Sequence, residues 1–237
     1  MSRGTRRSLR RMGAVAAVLG VVVTATGCAI ERDRAAPAPT ASPVFVSDVV
    51  QPEPAVLAPL RGTVLAQASA HPSIAAKVDN HEEARPQYGL ERSDIVFEEM
   101  VEGGLTRYVA LWHSDIPDLI GPVRSIRPMD PDIISPFGGI VAYSGGQEIF
   151  VDMMRDTDVY NAIHGGSSTD ATFYRTDDKD APHDVVVMAP VVVSEHLDLA
   201  PPSAQFSFSL DPASSTAAKE GVPTSRIDTV FSDERYP

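Results

Sequence analysis

The clearest alternation of apolar and polar residues along this chain lies between residues 94 and 112. Residues 94–100 and 105–112 each place apolar side chains at every second position, which is the period of a half-buried β-strand. Gly103 and Gly104 lie between the two segments, and glycine tolerates the positive φ angles of a tight hairpin loop. The pattern therefore predicts an antiparallel hairpin over residues 94–112.

Other segments predict further strands and a few helices. Short apolar runs predict strands at 74–78, 139–143, 184–189, 206–210 and 226–231. Apolar residues at helical spacing predict helices over 147–155 and 190–197, with one or two helical turns at 129–135. Residues 156–182 are expected to form a long loop. Together these elements predict an α+β (mixed α/β) domain, in which a central mixed sheet contains the hairpin and packs against a few helices.

The amino terminus has the layout of a secretory signal peptide. Residues 1–11 carry five arginines and no acid, residues 12–23 are apolar, and small residues lead to Cys28. Ala25-Thr26-Gly27-Cys28 is similar to a bacterial lipoprotein signal, in which the cysteine thiol receives a diacylglycerol. We therefore expect cleavage after residue 27 and attachment to the outer face of the bacterial plasma membrane through Cys28. The alternative is an ordinary cleaved signal with an incidental cysteine.

The export route and the conformation of the segment after Cys28 stay open. The stretch 5–9 (Thr-Arg-Arg-Ser-Leu) is similar to a twin-arginine export motif, so export of either the unfolded or the folded chain is possible. Residues 28–59 are rich in Pro and Ala and predict an extended tether, with a weak docking strand at 44–50 as the alternative. We expect the α+β domain at 60–210. Residues 211–237 are expected to be a linker and the start of a truncated carboxyl-terminal region.

Net charge and cysteine content exclude some classes of partner and of reaction. The net charge is −12, and without the five amino-terminal arginines 15 basic residues face 32 acidic ones, a net charge of −17. Such a chain is repelled by nucleic acid, so no nucleic-acid partner is expected. Cys28 is the single cysteine, which excludes internal disulfides and a cysteine nucleophile in the folded part.

Charged residues interrupt the apolar segments from residue 77 to residue 127, where a protein builds either a site or an internal brace. Glu98 and Arg107 lie within the hairpin strands, and an unpaired charge there costs several kcal/mol, roughly. A Glu98–Arg107 brace across the hairpin is one interpretation. The other is an anion-binding site, because guanidinium groups bind carboxylate and phosphate oxygens in pairs.

The predicted anion site combines three kinds of group. Arginine side chains would contact the ligand, Glu98 and Glu102 would orient them, and the turn at 144–146 would offer backbone N–H groups. The arginines are Arg85, Arg107, Arg124 and Arg127, and the turn is Ser144-Gly145-Gly146. Asp79, His81 and His183 are further possible site residues. The predicted partner is an anionic small ligand or an envelope protein, and no cofactor, resident metal or catalytic residue is assigned.

Four alternatives stay open beside this interpretation. An envelope hydrolase would use Glu98 as general base with His81 or His183 as acid or metal ligand. A metal site would draw on six residues whose spacing matches no known ligand motif, namely Asp79, His81, Glu98, Glu102, His164 and His183. A serine triad of Ser144, His183 and Asp79 has only a partial motif. A scaffolding protein would instead present an exposed apolar patch.

Several ordered motifs resemble one known family. They are V-D-N-H-x-x-A-R-P-Q from residue 78, D-I-V-F-E-x-x-V-E-G-G-L-T-R from 94, I-G-P-V-R-S-I-R-P from 120, Y-S-G-G from 143, and F-Y-R from 173 followed by A-P-H from 181. Over residues 57–210 the chain resembles the YerB-like bacterial lipoproteins, which carry a domain of unknown function. The resemblance implies a secreted lipoprotein with a second, carboxyl-terminal region, and it implies no established reaction.

Overall fold

Strand β1 (Ile74–Asp79) lies at the centre of the main sheet, and all six of its residues are buried. The computed structural model describes residues 55–167, 169, 171–209 and 211–231. Three residues of β1 are alanine or valine, which pack closely between neighbouring strands. The sheet is therefore organised around a strand that carries two charged residues, Lys77 and Asp79, into the interior.

The five strands of the main sheet lie in the order β2-β3-β1-β4-β5. They are β2 (Ile95–Met100), β3 (Thr106–Trp112), β4 (Ile140–Tyr143) and β5 (Tyr160–Ile163), together with β1. β3 is antiparallel to both β2 and β1, whereas β1, β4 and β5 are parallel. A second, two-stranded antiparallel sheet contains β6 (Phe173–Arg175) and β7 (Val185–Val187).

Four short α-helices accompany the strands: α1 (Asp130–Ile134), α2 (Glu148–Arg155), α3 (Ala189–Glu195) and α4 (Thr216–Glu220). Both α1 and α3 have a proline within their first two residues, where its missing N–H costs nothing. Single 3-10 turns lie at Glu82–Ala84, Leu90–Arg92, Glu102–Gly104, Ser135–Phe137 and Pro212–Ser214.

The main sheet is covered on both faces. Because successive residues of a strand face opposite sides, Ile74, Ala76 and Val78 of β1 pack with residues of β7 and α3. Ala75 lies on the other face, in a cluster that includes residues of α1 and α2. Lys77 and Asp79 share that second face, so their charges lie at the margin of an apolar layer.

The structure confirms the predicted α+β class and most predicted elements. The hairpin at 94–112, the strands within 74–78, 139–143 and 184–189, and the helices within 129–135, 147–155 and 190–197 all form. The predicted loop at 156–182 is wrong in part, because it contains β5 and β6.

The strands predicted at 206–210 and 226–231 are also wrong for the residues that the structure describes there. Phe206 and Val230 are more than half exposed, so these two apolar side chains do not enter the core. The signal peptide, Cys28, the export motif and the docking strand at 44–50 lie outside the described residues. Within the described residues, no helix is both long and apolar enough to cross a membrane.

Candidate functional site

Polar residues follow the three parallel strands at one edge of the main sheet. The carboxyl ends of parallel strands lie at the same edge, which is where α/β sheets commonly bind ligands. β1 ends at Asp79 and is followed by His81, β4 is followed by the 144–146 turn, and β5 is followed by His164. This edge therefore collects most of the residues that the sequence predicts for a site.

Arg107, Arg124 and Arg127 form what we call the arginine cluster. Arg107 Nη1 donates to the carbonyl oxygen of Ser125 at 2.8 Å. Arg127 Nη1 donates to the Ile126 carbonyl oxygen at 2.8 Å, and its Nε and Nη2 donate to Glu102 Oε2 at 2.9 and 2.7 Å.

Arg124 lies between a carboxylate and a backbone carbonyl group. Its Nη1 donates to the Pro182 carbonyl oxygen at 3.0 Å, and its Nε lies 3.1 Å from Asp79 Oδ2. The Arg124 Nε–H group is buried and does not point at a hydrogen-bond acceptor, so the Asp79 contact is an ion pair without a hydrogen bond at that atom. One donor of the arginine cluster is therefore held close to an anion but is poorly satisfied.

The arginine cluster has an excess of positive charge. Three guanidinium groups face two carboxylates, Asp79 and Glu102. Burial and, to a smaller extent, the positive charges of Arg127 and Arg124 lower the pKa of Arg107 to about 10, against the opposing effects of the two carboxylates. The hydrogen bonds from Arg127 hold the pKa of Glu102 below its usual range. Among the described residues, no carboxylate forms an ion pair with Arg107.

The 144–146 turn runs beside the segment that carries Arg124. Ser144 N–H donates to the Arg124 carbonyl oxygen at 3.0 Å, and Ile126 N–H donates to the Gly145 carbonyl oxygen at 3.1 Å. Gly145 has a φ of 68°, which favours glycine, and helix α2 begins shortly after it. In the part of the chain that the structure describes, the N–H groups of Gly145 and Gly146 have no protein acceptor.

A second group at this edge consists of His81, Glu83 and His183, which we call the histidine–glutamate group. His183 Nδ1 lies 2.7 Å from Asp79 Oδ2, and His183 Nε2 lies 3.4 Å from Glu83 Oε2. His81 Nδ1 is 3.7 Å from Glu83 Oε2, and the two imidazole rings stack with centroids 4.6 Å apart. One ligand atom from each of the three residues lies within 4.8 Å of the others, so they could hold a metal ion.

Asp79 joins this group to the arginine cluster, since its Oδ2 faces both His183 and Arg124. Of the six residues weighed for a metal site, His81 and His183 come together. Glu83 was missed. The His81-x-Glu83 spacing was visible in the sequence, but the approach of His183 depends on the fold.

Glu98 and Arg85 lie apart from the arginine cluster. Glu98 is paired with Tyr108 in the hairpin, whereas Arg107 is paired with Glu99, so Glu98 and Arg107 project from opposite faces. The Glu98–Arg107 brace is therefore wrong. Glu98 Oε1 accepts hydrogen bonds from Thr106 and Asn80 instead, and Arg85 Nε donates to Asn80 Oδ1 at 3.0 Å.

The contacts of Ser144 differ from those of the predicted triad. Ser144 Oγ lies 3.2 Å from His164 Nδ1, whereas the carboxylate beside His183 belongs to Asp79. Ser144 and His183 are thus paired with different residues, and the three do not form a relay.

A buried charge group was also missed from the sequence. Lys77 Nζ donates to Glu99 Oε2 at 2.6 Å and to Asp130 Oδ1 at 2.7 Å, and all three side chains are at least nine-tenths buried. Burial and the Asp130 carboxylate raise the pKa of Glu99 to about 7 against the opposing effect of Lys77. Because Asp130 arrives from α1, 53 residues after Lys77, spacing alone could not reveal the group.

Comparison with known proteins places the chain among proteins without an assigned activity. A family model described as "Protein of unknown function (DUF3048) N-terminal domain" matches residues 60–198. Over 110 residues the chain is 33% identical to a protein of Bacillus subtilis (strain 168) named "Putative lipoprotein YerB". The aligned region covers 46% of this chain and 33% of that protein.

The fold has a similar counterpart among solved structures. The crystal structure of the YerB protein from Bacillus subtilis matches with a TM-score of 0.55 at 25% sequence identity, covering 63% of this chain and 53% of the other. The chain thus matches about a third of the full relative and about half of its crystallised chain.

Proposed function

The chain belongs to the family of DUF3048 amino-terminal domains, and on that premise we propose that it is an envelope lipoprotein that binds an anionic ligand at the arginine cluster. The anion is a small molecule or an acidic group of an envelope partner. The anchor would be the lipid on Cys28, in agreement with the name of the Bacillus subtilis relative. The protein would face outward from the plasma membrane, with the folded domain held on the tether that follows Cys28. The predicted end of that tether at residue 59 is wrong, because Ala58 is buried and Leu57 pairs with Val64.

The observation that carries the binding proposal is the position of Arg107. Its half-buried guanidinium group contacts the Ser125 carbonyl oxygen and lies among two further arginines, with no carboxylate partner among the described residues. A partly buried cation without a directly paired carboxylate is unfavourable, and a bound anion would supply that partner. The net acidity of the chain makes this local excess of positive charge harder to explain as a general surface property.

The adjoining turn supports the same proposal. The N–H groups of Gly145 and Gly146, which have no acceptor among the described residues and lie close to the amino end of α2, are suited to anionic oxygens. The turn lies beside the backbone of Arg124 and Ile126, on the segment that carries Arg124 and Arg127 of the arginine cluster.

The test is thermal unfolding of the full chain in detergent with inorganic phosphate, sulfate or citrate at constant ionic strength. A bound anion at a hundred times its dissociation constant should raise the free energy of unfolding by about 2.7 kcal/mol. Arg107→Gln should abolish this increase. Arg107 is the best position to change, because removing Arg124 or Arg127 would leave Asp79 or Glu102 without its ion pair.

Arg92→Gln is the matched control, since Arg92 forms an exposed ion pair with Asp115 and lies outside the site. It should leave the anion effect unchanged. An equal anion effect in Arg107→Gln and the parent chain, or no effect from any of the three anions, would contradict binding at the arginine cluster. The hydrolase and scaffolding alternatives stay predictions.

A further inference from the structure

We propose that His81, Glu83 and His183 form a binding site for a divalent transition-metal ion of the zinc class, with Asp79 orienting His183. This inference goes beyond anion binding and does not depend on it. It combines two neutral imidazole nitrogens and a carboxylate oxygen, a ligand set that suits Zn²⁺. The following contacts carry it.

The hydrogen bonds determine which ring nitrogens carry a lone pair toward Glu83. The Asp79 carboxylate can only accept, so His183 Nδ1 donates to it and the Nε2 atom of a neutral ring is unprotonated. His81 Nδ1 accepts the Glu83 backbone N–H at 3.2 Å, so this nitrogen is also unprotonated, and its single lone pair would turn from that N–H group to the ion on binding. Both nitrogens face Glu83 Oε2.

Three electron-rich atoms therefore surround one small volume. With neutral rings, no hydrogen lies between Glu83 Oε2 and His183 Nε2, and the lone pair of His81 Nδ1 is directed at the Glu83 N–H group, so neither nitrogen is bonded to the Glu83 carboxylate and a cation among the three atoms would be favourable. A proton on His183 Nε2 is one possible cation, and a metal ion is the other. The nearby Arg124, at 3.1 Å from Asp79 Oδ2, opposes the addition of positive charge in both cases.

The two distances to Glu83 Oε2 fit a metal ion, and the three ligand atoms all lie within 4.8 Å of one another. Two ligands of a tetrahedral Zn²⁺ ion, each about 2.0–2.1 Å from it, are about 3.4 Å apart. His183 Nε2 and Glu83 Oε2 are separated by 3.4 Å, and His81 Nδ1 and Glu83 Oε2 by 3.7 Å. At 3.4 Å, by contrast, a hydrogen bond from a protonated His183 to Glu83 would be long.

The surroundings have the features that metal sites require. Asp79 accepts from the ring nitrogen of His183 that would not bind the ion, which fixes the orientation and tautomer of the ring. The Glu83 side chain is 68% exposed whereas that of His183 is 10% exposed, so one ligand is rigid and the other can move inward from solvent. Three protein ligands leave a fourth position for water or another ligand.

The experiment measures binding of Zn²⁺ alone to the full chain in detergent by calorimetry, and of Co²⁺ by its visible d–d absorption. We expect one ion per chain. Glu83→Gln and His81→Gln change exposed or partly exposed residues, so the fold should be retained, and each should weaken binding about tenfold or more. Asp79→Asn should weaken binding by about 10- to 100-fold and change the Co²⁺ spectrum.

His71→Gln is the matched control, because the ring of His71 also lies close to a second histidine, His113, with centroids 4.8 Å apart. This variant should bind Zn²⁺ as the parent chain does. Absence of Zn²⁺ binding, or binding that survives both Glu83→Gln and His81→Gln, would overturn the proposal. Phosphate binding in metal-free buffer is measured separately with Arg107→Gln, so failure of either site is distinguishable from failure of the other.

Discussion

Glu99 carries the most unfavourable charge among the described carboxylates of the main sheet. It lies against Lys77 together with Asp130, so one ammonium group faces two carboxylates in a buried volume. Its second oxygen, Oε1, is buried without a hydrogen-bond partner in the described residues. Both features favour the protonated form, and the pKa of Glu99 is raised from 4.5 to about 7.

This shift predicts a loss of stability as the pH rises. The folded chain keeps the Glu99 proton between pH 4.5 and about 7, whereas the unfolded chain has released it, so the free energy of unfolding falls across that window. At about 1.4 kcal/mol per pKa unit, the loss is roughly 1–3 kcal/mol. Glu99→Gln should remove this loss. Measured by urea unfolding, the stability of the variant relative to the parent chain should therefore be greater at pH 8 than at pH 5.

Glu98→Gln is the control for that measurement, because Glu98 is the neighbouring residue on the opposite face of β2. It should change stability by a similar amount at both pH values and keep the slope of the parent chain. If the difference in free energy of unfolding between the parent chain and Glu99→Gln is the same at pH 5 and pH 8, the assigned role of Glu99 is wrong.

Residue types in the sequence predicted part of the candidate site and missed the rest for a definable reason. The arginines at 124 and 127 and the turn at 144–146 are close in sequence to breaks between elements, so their shared location could be expected. Glu83 meets His183 across 100 residues of sequence, and Lys77 meets Asp130 across 53. No local sequence pattern predicts contacts over such separations. Glu98 was predicted to belong to the site because the sequence does not show which face of the sheet carries the site.

At the scale of elements, the entry into β4 depends on a close approach of two backbone segments. Gly139 precedes β4 with a φ of 71°, and a Cβ atom there would overlap the carbonyl oxygen of Ser73. That oxygen accepts the Ile140 N–H at 3.0 Å, which begins the pairing of β4 with β1. A side chain at position 139 would therefore disturb both the backbone conformation and the parallel pairing.

Gly139→Ala should accordingly destabilise the domain by more than Gly103→Ala. Gly103 has a φ of 74°, but an added Cβ atom would contact nothing within 4 Å, so the variant carries only the backbone cost of about 1–2 kcal/mol. The overlap at position 139 should add about 1–3 kcal/mol. Urea unfolding of the two variants measures the difference, and equal destabilisation would show that the Ser73 contact is not tight in solution.

The elements that the sequence predicted are those with a strong period or a glycine boundary. The hairpin combines alternation with Gly103 and Gly104, and α2 combines helical spacing with a preceding glycine turn. β5 is a four-residue edge strand in which Asn161 accepts a hydrogen bond from Tyr143 Oη and donates one to the Val159 carbonyl oxygen. This polar residue interrupts the apolar pattern, so the strand was not predicted. Phe206 and Val230 show the converse, since apolar residues without a covering layer form no strand.

At the scale of the whole molecule, charge is distributed unevenly along the chain. Five arginines precede the apolar stretch at 12–23, and the remainder has a net charge of −17. An acidic domain is repelled by anionic lipid headgroups, so electrostatic attraction would not hold it at a membrane. Association with the membrane would then depend on the lipid at Cys28, where two acyl chains on one residue are sufficient for a stable anchor.

Cys28→Ala should therefore abolish lipid attachment. Expressed in a bacterial host that processes lipoproteins, the parent chain should incorporate labelled fatty acid and begin at Cys28, as determined by mass spectrometry of its amino-terminal peptide. The variant should lose the label, whereas Thr40→Ala, a change in the tether, should retain it. If the parent chain carries no label, or begins at another residue, the amino terminus is an ordinary signal and the membrane anchor at Cys28 is wrong.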